Sequence, residues 1–204
     1  VFKKLVEEQE DGKLEYQGRV IRNIAYIYCV GSRQAEGNTY CSRYCCTSTI
    51  HAALEASKKF PDLQQFHYNR GIRTYGKQEI LYHESSENGD TYLQFNEDQP
   101  VTVEVEKDDI TVRVNDILTE GMEMELDADL VVLVTAMVPR ENKALEDILK
   151  APVGRDRFYN EVHPKLRPVE TVLDGIYIAG CCQGPKNITE SIKSSLSAAA
   201  KISG

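Results

Sequence analysis

Residues 24–32 read Ile-Ala-Tyr-Ile-Tyr-Cys-Val-Gly-Ser, and residues 44–59 read Tyr-Cys-Cys-Thr-Ser-Thr-Ile-His-Ala-Ala-Leu-Glu-Ala-Ser-Lys-Lys. The first stretch is short, apolar and rich in β-formers, and it stops at Gly31-Ser32, so it reads as a buried strand running into a loop. In the second, Cys46, Ile50 and Leu54 recur at i, i+4 and i+8, two lysines close the last turn, and Pro61 lies just beyond. That pattern predicts an α-helix with one buried stripe. Strand, loop and helix open a βαβ unit. Residues 65–72 supply the next strand, and residues 76–88 a polar helix ending at Asn88-Gly89.

Further along, three runs alternate strictly: Val101/Val103/Val105, Ile110/Val112/Val114 and Met122/Met124/Leu126. Each predicts a half-buried antiparallel strand. Leu130 to Val134 is continuously apolar and suits a strand covered on both faces. A short polar helix near residues 142–149 and an irregular stretch rich in Pro, Arg and Gly follow, with a domain crossing placed near residue 140. Residues 175–180 then read as a strand ending in glycine. After Cys181-Cys182-Gln183-Gly184-Pro185-Lys186, a helix starts at Asn187, with Glu190 three residues on as a capping box. Ile188, Ile192, Leu196 and Ala199 make its expected buried stripe. Its first turn offers N–H groups and a positive dipole end to a phosphate or a ring carbonyl; an ordinary strand-to-helix connection is the other reading.

A chain of 204 residues with 41% hydrophobic and 27% charged residues has the composition of a globular protein and needs no disulfide staples. Its formal charge of −8 argues against nucleic acid or anionic membrane surfaces as partners. No apolar stretch approaches the ~20 residues of a membrane span. Residues 1–20 begin with Val, are highly charged and carry no signal-peptide core, which points to a cytoplasmic chain that is a piece of something longer. Without a secretion signal, the six cysteines suggest metal or redox chemistry.

Cys29, Cys41, Cys45 and Cys46 follow a C-x11-C-x3-C-C pattern. Four thiolates are the complement of one cubane iron–sulfur cluster. Structural zinc favours paired C-x2-4-C knuckles, which this pattern lacks, so iron–sulfur is preferred; buried or redox-active thiols stay open as a third reading. Cys45 and Cys46 are adjacent, and can share a cluster only at an irregular turn or helix start.

Two blocks carry a resemblance. Cys29-Val30-Gly31-Ser32-Arg33 with Tyr40-Cys41-Ser42-Arg43-Tyr44-Cys45-Cys46 is the first. The second is His163-Pro164-Lys165-Leu166-Arg167-Pro168-Val169 with Asp174-Gly175-Ile176-Tyr177-Ile178-Ala179-Gly180-Cys181 and Gln183-Gly184-Pro185-Lys186. In this order they resemble the iron–sulfur flavoprotein A-subunits of the CoB–CoM heterodisulfide reductases, over about residues 20–204. The resemblance implies an α/β, thioredoxin-reductase-like FAD/NAD(P)-binding fold in three layers, a parallel sheet plus an antiparallel β-meander, here incomplete. Residues 1–140 then become a pyridine-nucleotide-domain-like region with the cluster motif, and residues 141–204 the C-terminal portion of the FAD domain. Cys29, Cys41, Cys45 and Cys46 become ligands of a [4Fe–4S] cluster. Gly180, Cys181, Gln183, Gly184, Pro185, Lys186 and Asn187 become flavin contacts, with Lys165 set to stabilise anionic flavin.

The same resemblance implies FAD as second cofactor, electron transfer of the kind used in methanogenesis, and other redox subunits of such a complex as partners, with a homodimer as a further candidate. No two glycines are two residues apart, so no G-x-G dinucleotide loop exists here. The FAD pyrophosphate loop is therefore expected upstream of Val1, and direct NAD(P)H binding is disfavoured. The ferredoxin C-x2-C-x2-C-x3-C runs of full-length members are also absent. Arg33 and Arg43 read either as raising the cluster potential or as surface salt bridges, and Lys165 either as a flavin contact or as a solvated lysine. His51, His67, His83 and His163 read as packing or surface residues. The rival functions are a cofactor-free scaffold and a flavin-dependent thiol–disulfide reductase.

Overall fold

A computed structural model describes residues 1–10 and 12–204. They form two units, Val1–Val30 with Cys45–Thr135, and Gly31–Tyr44 with Ala136–Gly204.

The first unit runs α1 (Phe2–Glu8), β1 (Leu14–Tyr16), β2 (Arg19–Ile21), β3 (Asn23–Val30), α2 (Cys45–Lys59), β4 (Gln64–Asn69), α3 (Glu79–Glu87), β5 (Thr91–Gln94), β6 (Thr102–Glu106), β7 (Asp109–Asp116), β8 (Met122–Ala128) and β9 (Leu130–Thr135). A parallel sheet has the order β5-β4-β3-β9, with Tyr26 opposite both His67 and Val132. Because successive side chains of a strand alternate between faces, β3 feeds two cores. Ile24, Tyr26 and Tyr28 pack with Cys45, Cys46, Ala53 and Ala56 of α2. Ala25 packs instead with Val112 and Val114 of β7. Helices, parallel sheet and the antiparallel β6-β7-β8 meander therefore make three layers, each large buried side chain contributing about 1.5–3 kcal/mol.

The strand expectations change in part. Leu130 to Val134 is a strand, but β9 lies at the sheet edge, and Leu133 is 57% exposed rather than covered on both faces. β6 is exposed along its whole length, and in β8 Met122 and Met124 are exposed rather than half-buried, since these are the two outer strands of the meander. The N-terminal region, which shows no clear period, holds α1 and a two-residue hairpin. That hairpin turns at Gln17 and Gly18, which both have positive φ, as its strand twist requires.

The second unit contains α4 (Lys143–Leu149) and α5 (Ile188–Ser203). Residues 175–180 are not a strand. Tyr177 makes one isolated bridge to Glu170, and Gly180–Gln183 is a single 3-10 turn, because no run of neighbouring backbone groups continues the ladder. The apolar stripe of α5 is also not buried: Ile188, Ile192 and Leu196 are exposed, whereas Ala198 is buried. Ser194, on the small-residue side of the helix, accepts a hydrogen bond from Gly180 N at 2.9 Å, so it is this side that meets the preceding turn.

Candidate redox-cofactor site

Cys29 lies at the C-terminal end of β3, where the pairing with β9 shifts register, and its φ is +62°. A bulge of this kind re-aims a side chain. Cys45 and Cys46 open α2 and are both buried, in the same cluster that Cys29 packs against. The site falls where the strand order reverses: the chain leaves β3 for β4 on one side and later returns to β9 on the other. Ligands of open parallel sheets gather at such a point. A helix N-terminus also favours thiolate over thiol.

Cys41 belongs to the loop of residues 31–44 in the second unit. Its Sγ accepts a hydrogen bond from Arg43 N at 3.3 Å. Arg33 N donates to Tyr40 O at 2.9 Å, Tyr40 Oη donates to Met137 O at 3.1 Å, and Met137 N donates to buried Ser42 Oγ at 2.9 Å. Arg43 donates to Glu190 Oε1 at 2.6 Å and to Pro185 O at 3.4 Å. Of its two readings, the salt bridge is the one seen, with the Glu190 carboxylate offsetting its charge.

Around the glycine turn, Gln183 Nε2 donates to Pro168 O at 2.6 Å and to Glu161 Oε2 at 3.2 Å. Its Oε1 accepts from Lys186 Nζ at 2.6 Å. Gly180 and Gly184 have φ of +72° and +145°, and nothing lies within 4 Å of a Cβ built at Gly184, so an approaching ligand would meet bare backbone there. Asn187 caps α5 in a complete capping box: Asn187 N donates to Glu190 Oε2 at 3.0 Å, and Glu190 N to Asn187 Oδ1 at 2.8 Å. The Glu190 carboxylate thus already occupies this helix N-terminus, which suits a neutral ring carbonyl better than a phosphate. Cys181 and Cys182 are exposed, and Lys165 is an exposed residue whose backbone N–H donates to His163 Nδ1 at 3.2 Å.

Cys29, Cys45 and Cys46 thus pack against one hydrophobic core, whereas Cys41 belongs to the second unit, and residues 180–187 lead into α5. Among the described residues, no three His, Cys, Asp or Glu side chains converge as they would on a single metal ion. By donor chemistry, thiols at a strand end and a helix start fit a thiolate-held cluster.

Composition and period give no sign of the burial of His67. It lies wholly inside the first unit, its ring stacked between Tyr26 and Tyr92 at centroid distances of 4.7 and 4.5 Å. Burial lowers its pKa from the ordinary 6.5, and Asp90 only partly opposes this. Below about pH 6.5 the unfolded chain therefore binds the extra proton first, and stability, fully present above that pH, is lost as pH falls toward the folded value. Urea midpoints measured from pH 7.5 to 5 will drop, and in His67→Gln they will drop less.

The second CoB--CoM heterodisulfide reductase iron-sulfur A-subunit of Methanopyrus kandleri is 38% identical over 188 residues, which is 90% of this chain and 28% of the relative. The A-subunit of the ferredoxin:CoB-CoM heterodisulfide reductase of Methanosarcina acetivorans is 39% identical over 189 residues, 90% of this chain and 23% of the relative. This chain is homologous to one segment of the heterodisulfide reductase A-subunits. It spans less than a third of the length of those curated relatives, which are oxidoreductase subunits by name. No protein-family model matches it. T. acidophilum thioredoxin reductase aligns with a TM-score of 0.56 at 16% identity, covering 88% of this chain and 51% of that one. The HOCl-induced flavoprotein disulfide reductase of Escherichia coli, in its copper(II) complex, gives 0.57 at 8% identity, covering 89% and 36%. The fold is therefore that of the thioredoxin-reductase-like flavoproteins. No helix among the described residues is long and apolar enough to cross a membrane.

Proposed function

We propose that this chain is the cluster-bearing part of an electron-transfer iron–sulfur flavoprotein, working with other redox subunits in a complex of the heterodisulfide reductase type. The observation that carries this reading is the placement of Cys29, Cys45 and Cys46 at the C-terminal end of β3 and the start of α2. In a nucleotide-binding sheet that position holds a glycine loop, and here it holds thiols. By the sequence pattern alone, Cys41, four residues before Cys45, is the fourth thiol of the proposed set. A bound cluster would supply one-electron storage and a bound flavin two-electron chemistry.

The chain's own residues do the rest. Cys45 and Cys46 open α2, so thiolates there would sit at the positive end of the helix. Buried Cys45 and Cys46 keep that end of the site away from bulk water. Arg43 ties the Cys41 loop to Pro185 and Glu190, so within the second unit the cysteine loop and the flavin-side turn are held as one body. In this reading residues 1–140 are the pyridine-nucleotide-domain-like part and residues 141–204 the flavin-domain part, with Gly180, Cys181 and residues 183–187 against the flavin ring and Lys165 a contact to its anionic form.

Anaerobic reconstitution of the 204-residue chain with iron and sulfide tests the reading. About four Fe per chain, with broad visible absorption and an EPR signal on reduction, is the expected result. Zinc without a chromophore would replace the relay with a structural site. A chain that binds neither would be a scaffold.

A further inference from the structure

Aromatic rings form a connected column through the first unit, and their hydroxyls are not equivalent. Half-buried Tyr82 of α3 meets Tyr92 of β5 edge-on at 4.7 Å, and Tyr92 stacks on His67 of β4 at 4.5 Å. On its other side His67 touches Tyr26 at 4.7 Å and Tyr28 at 5.8 Å, both from β3 and both almost wholly buried. The column thus leads from the surface of α3 into the core.

Tyr26 Oη donates to Gln65 Oε1 at 2.6 Å, an amide oxygen too weakly basic to keep a proton, and Tyr92 Oη lies 2.7 Å from another hydroxyl, Ser85 Oγ. Tyr28 Oη instead faces a base, His67 Nδ1, at 2.8 Å. The opposite ring nitrogen, Nε2, lies 3.6 Å from Asp90 Oδ2, too far for a hydrogen bond, and is buried without a partner. Ser85 Oγ donates to that carboxylate, and Gln65 Nε2 donates to its Oδ1 at 3.2 Å. With Nε2 protonated, the N–H dipole points at Asp90 and Nδ1 accepts from Tyr28; the other tautomer would aim a lone pair at an anion. Burial holds the His67 pKa below its ordinary 6.5, so the ring is a neutral base at neutral pH.

We propose that Tyr28 and His67 form a proton-coupled electron donor, a buried site from which this chain gives up one electron to a one-electron oxidant such as a sulfur- or oxygen-centred radical. The Tyr28 phenol loses one electron and the oxidant gains it. The Oη–H bond breaks, and its proton stays on His67 Nδ1, leaving a neutral phenoxyl beside an imidazolium. One electron from a solution reductant such as ascorbate, with return of the proton from Nδ1 to Oη, restores the starting state. An oxidised phenol is a far stronger acid than a phenol, so the tyrosine whose hydroxyl already points at a base yields its electron most readily. Tyr82 and Tyr92 therefore pass the charge inward, and Tyr28 keeps it. An imidazolium is costly in a dry core, and the Asp90 carboxylate offsets it as Nε2–H closes the 3.6 Å gap. Asp90 is a positioning residue, acting through His67. The step uses no bound cofactor.

The test is laser flash oxidation of the chain at neutral pH with a ruthenium tris-bipyridyl photo-oxidant and a cobalt(III) quencher, following the phenoxyl absorption. The wild type will show a fast decay from exposed tyrosines such as Tyr16 and Tyr75. A slow phase will outlast it about tenfold, the factor that one charge-assisted hydrogen bond commands. Tyr28→Phe will lose the slow phase and keep the fast one, and His67→Gln will shorten the slow phase to the fast lifetime. Asp90→Asn will shorten it in part, with the near-ultraviolet circular dichroism of the wild type. A wild type with the fast phase alone, or an undiminished slow phase in folded Tyr28→Phe, overturns the inference. Should the variants fail to fold, the wild type with isotope-labelled histidine decides: electron–nuclear double resonance of the frozen slow radical will show coupling to a histidine nitrogen, and a slow radical without that coupling overturns the inference.

Discussion

Cys45→Ser, reconstituted anaerobically beside the wild type, will bring the iron content down from about four Fe per chain to background, and the visible chromophore will go with it. Serine is nearly the same size as cysteine, so the buried start of α2 keeps its packing. The hydroxyl costs about 1–3 kcal/mol of desolvation where it finds no partner, which is small beside the loss of a thiolate ligand. Circular dichroism of the variant will match the wild type. Cys29→Ser and Cys46→Ser will behave alike. Cys182→Ser, which alters a thiol outside the ligand set, will load normally. Retention of the full signal in Cys45→Ser would remove that residue from the set and return the buried pair to the role of small apolar residues in the core of the first unit.

How far the sequence carries depends on the range of the interaction concerned. β3 and α2 are legible because a seven-residue apolar run and an i, i+4, i+8 stripe are local signals, and the β7 and β8 strands are legible from strict alternation. β5 is missed since four residues, Thr-Tyr-Leu-Gln, carry too little pattern to separate strand from loop. For β9 the apolar run reveals a strand, but whether both faces are covered depends on which strand lies beside it, and that is topology. α5 shows the same limit from the other side. Its capping box is local and reads correctly, whereas the stripe Ile188, Ile192, Leu196 tells which face is apolar and nothing about what meets it.

At the site, the cysteine spacing is legible, and the partner of Arg43 is not, since Glu190 lies 147 residues further along the chain. The same holds for His67, whose local context of Gln65, Phe66 and Tyr68 gives no hint that Tyr28, Asp90 and Tyr92 close around it. Polar residues inside a sheet read as surface until their hydrogen-bond partners are known. The part of the site that sequence misses is therefore its long-range hydrogen bonding.

Tyr26→Ala will be the most destabilising single change in the first unit, costing about 4 kcal/mol. Three separate contacts converge on this side chain. Its ring fills the space between the sheet and the helices with no exposure to solvent, stacks on His67 at 4.7 Å and meets Phe2 of α1 edge-on at 5.4 Å. Its hydroxyl donates to Gln65 at 2.6 Å. Truncation opens a cavity between layers that the fixed register of β3 against β4 and β9 prevents from collapsing, and it leaves Gln65 Oε1 without its donor. Against a net stability of about 5–15 kcal/mol for a domain, a loss of that size leaves a large unfolded population near physiological temperature. Tyr26→Phe separates the two parts: the ring and its stacking stay, and the cost falls to about 1–3 kcal/mol for the unsatisfied acceptor. Urea unfolding of both variants measures the difference. A Tyr26→Ala cost no greater than that of Tyr26→Phe would mean that the layer between β3 and α2 can close over the gap. Cys45 and Cys46, which pack in that same layer, would then sit in a core too soft to fix the cysteine sulfurs.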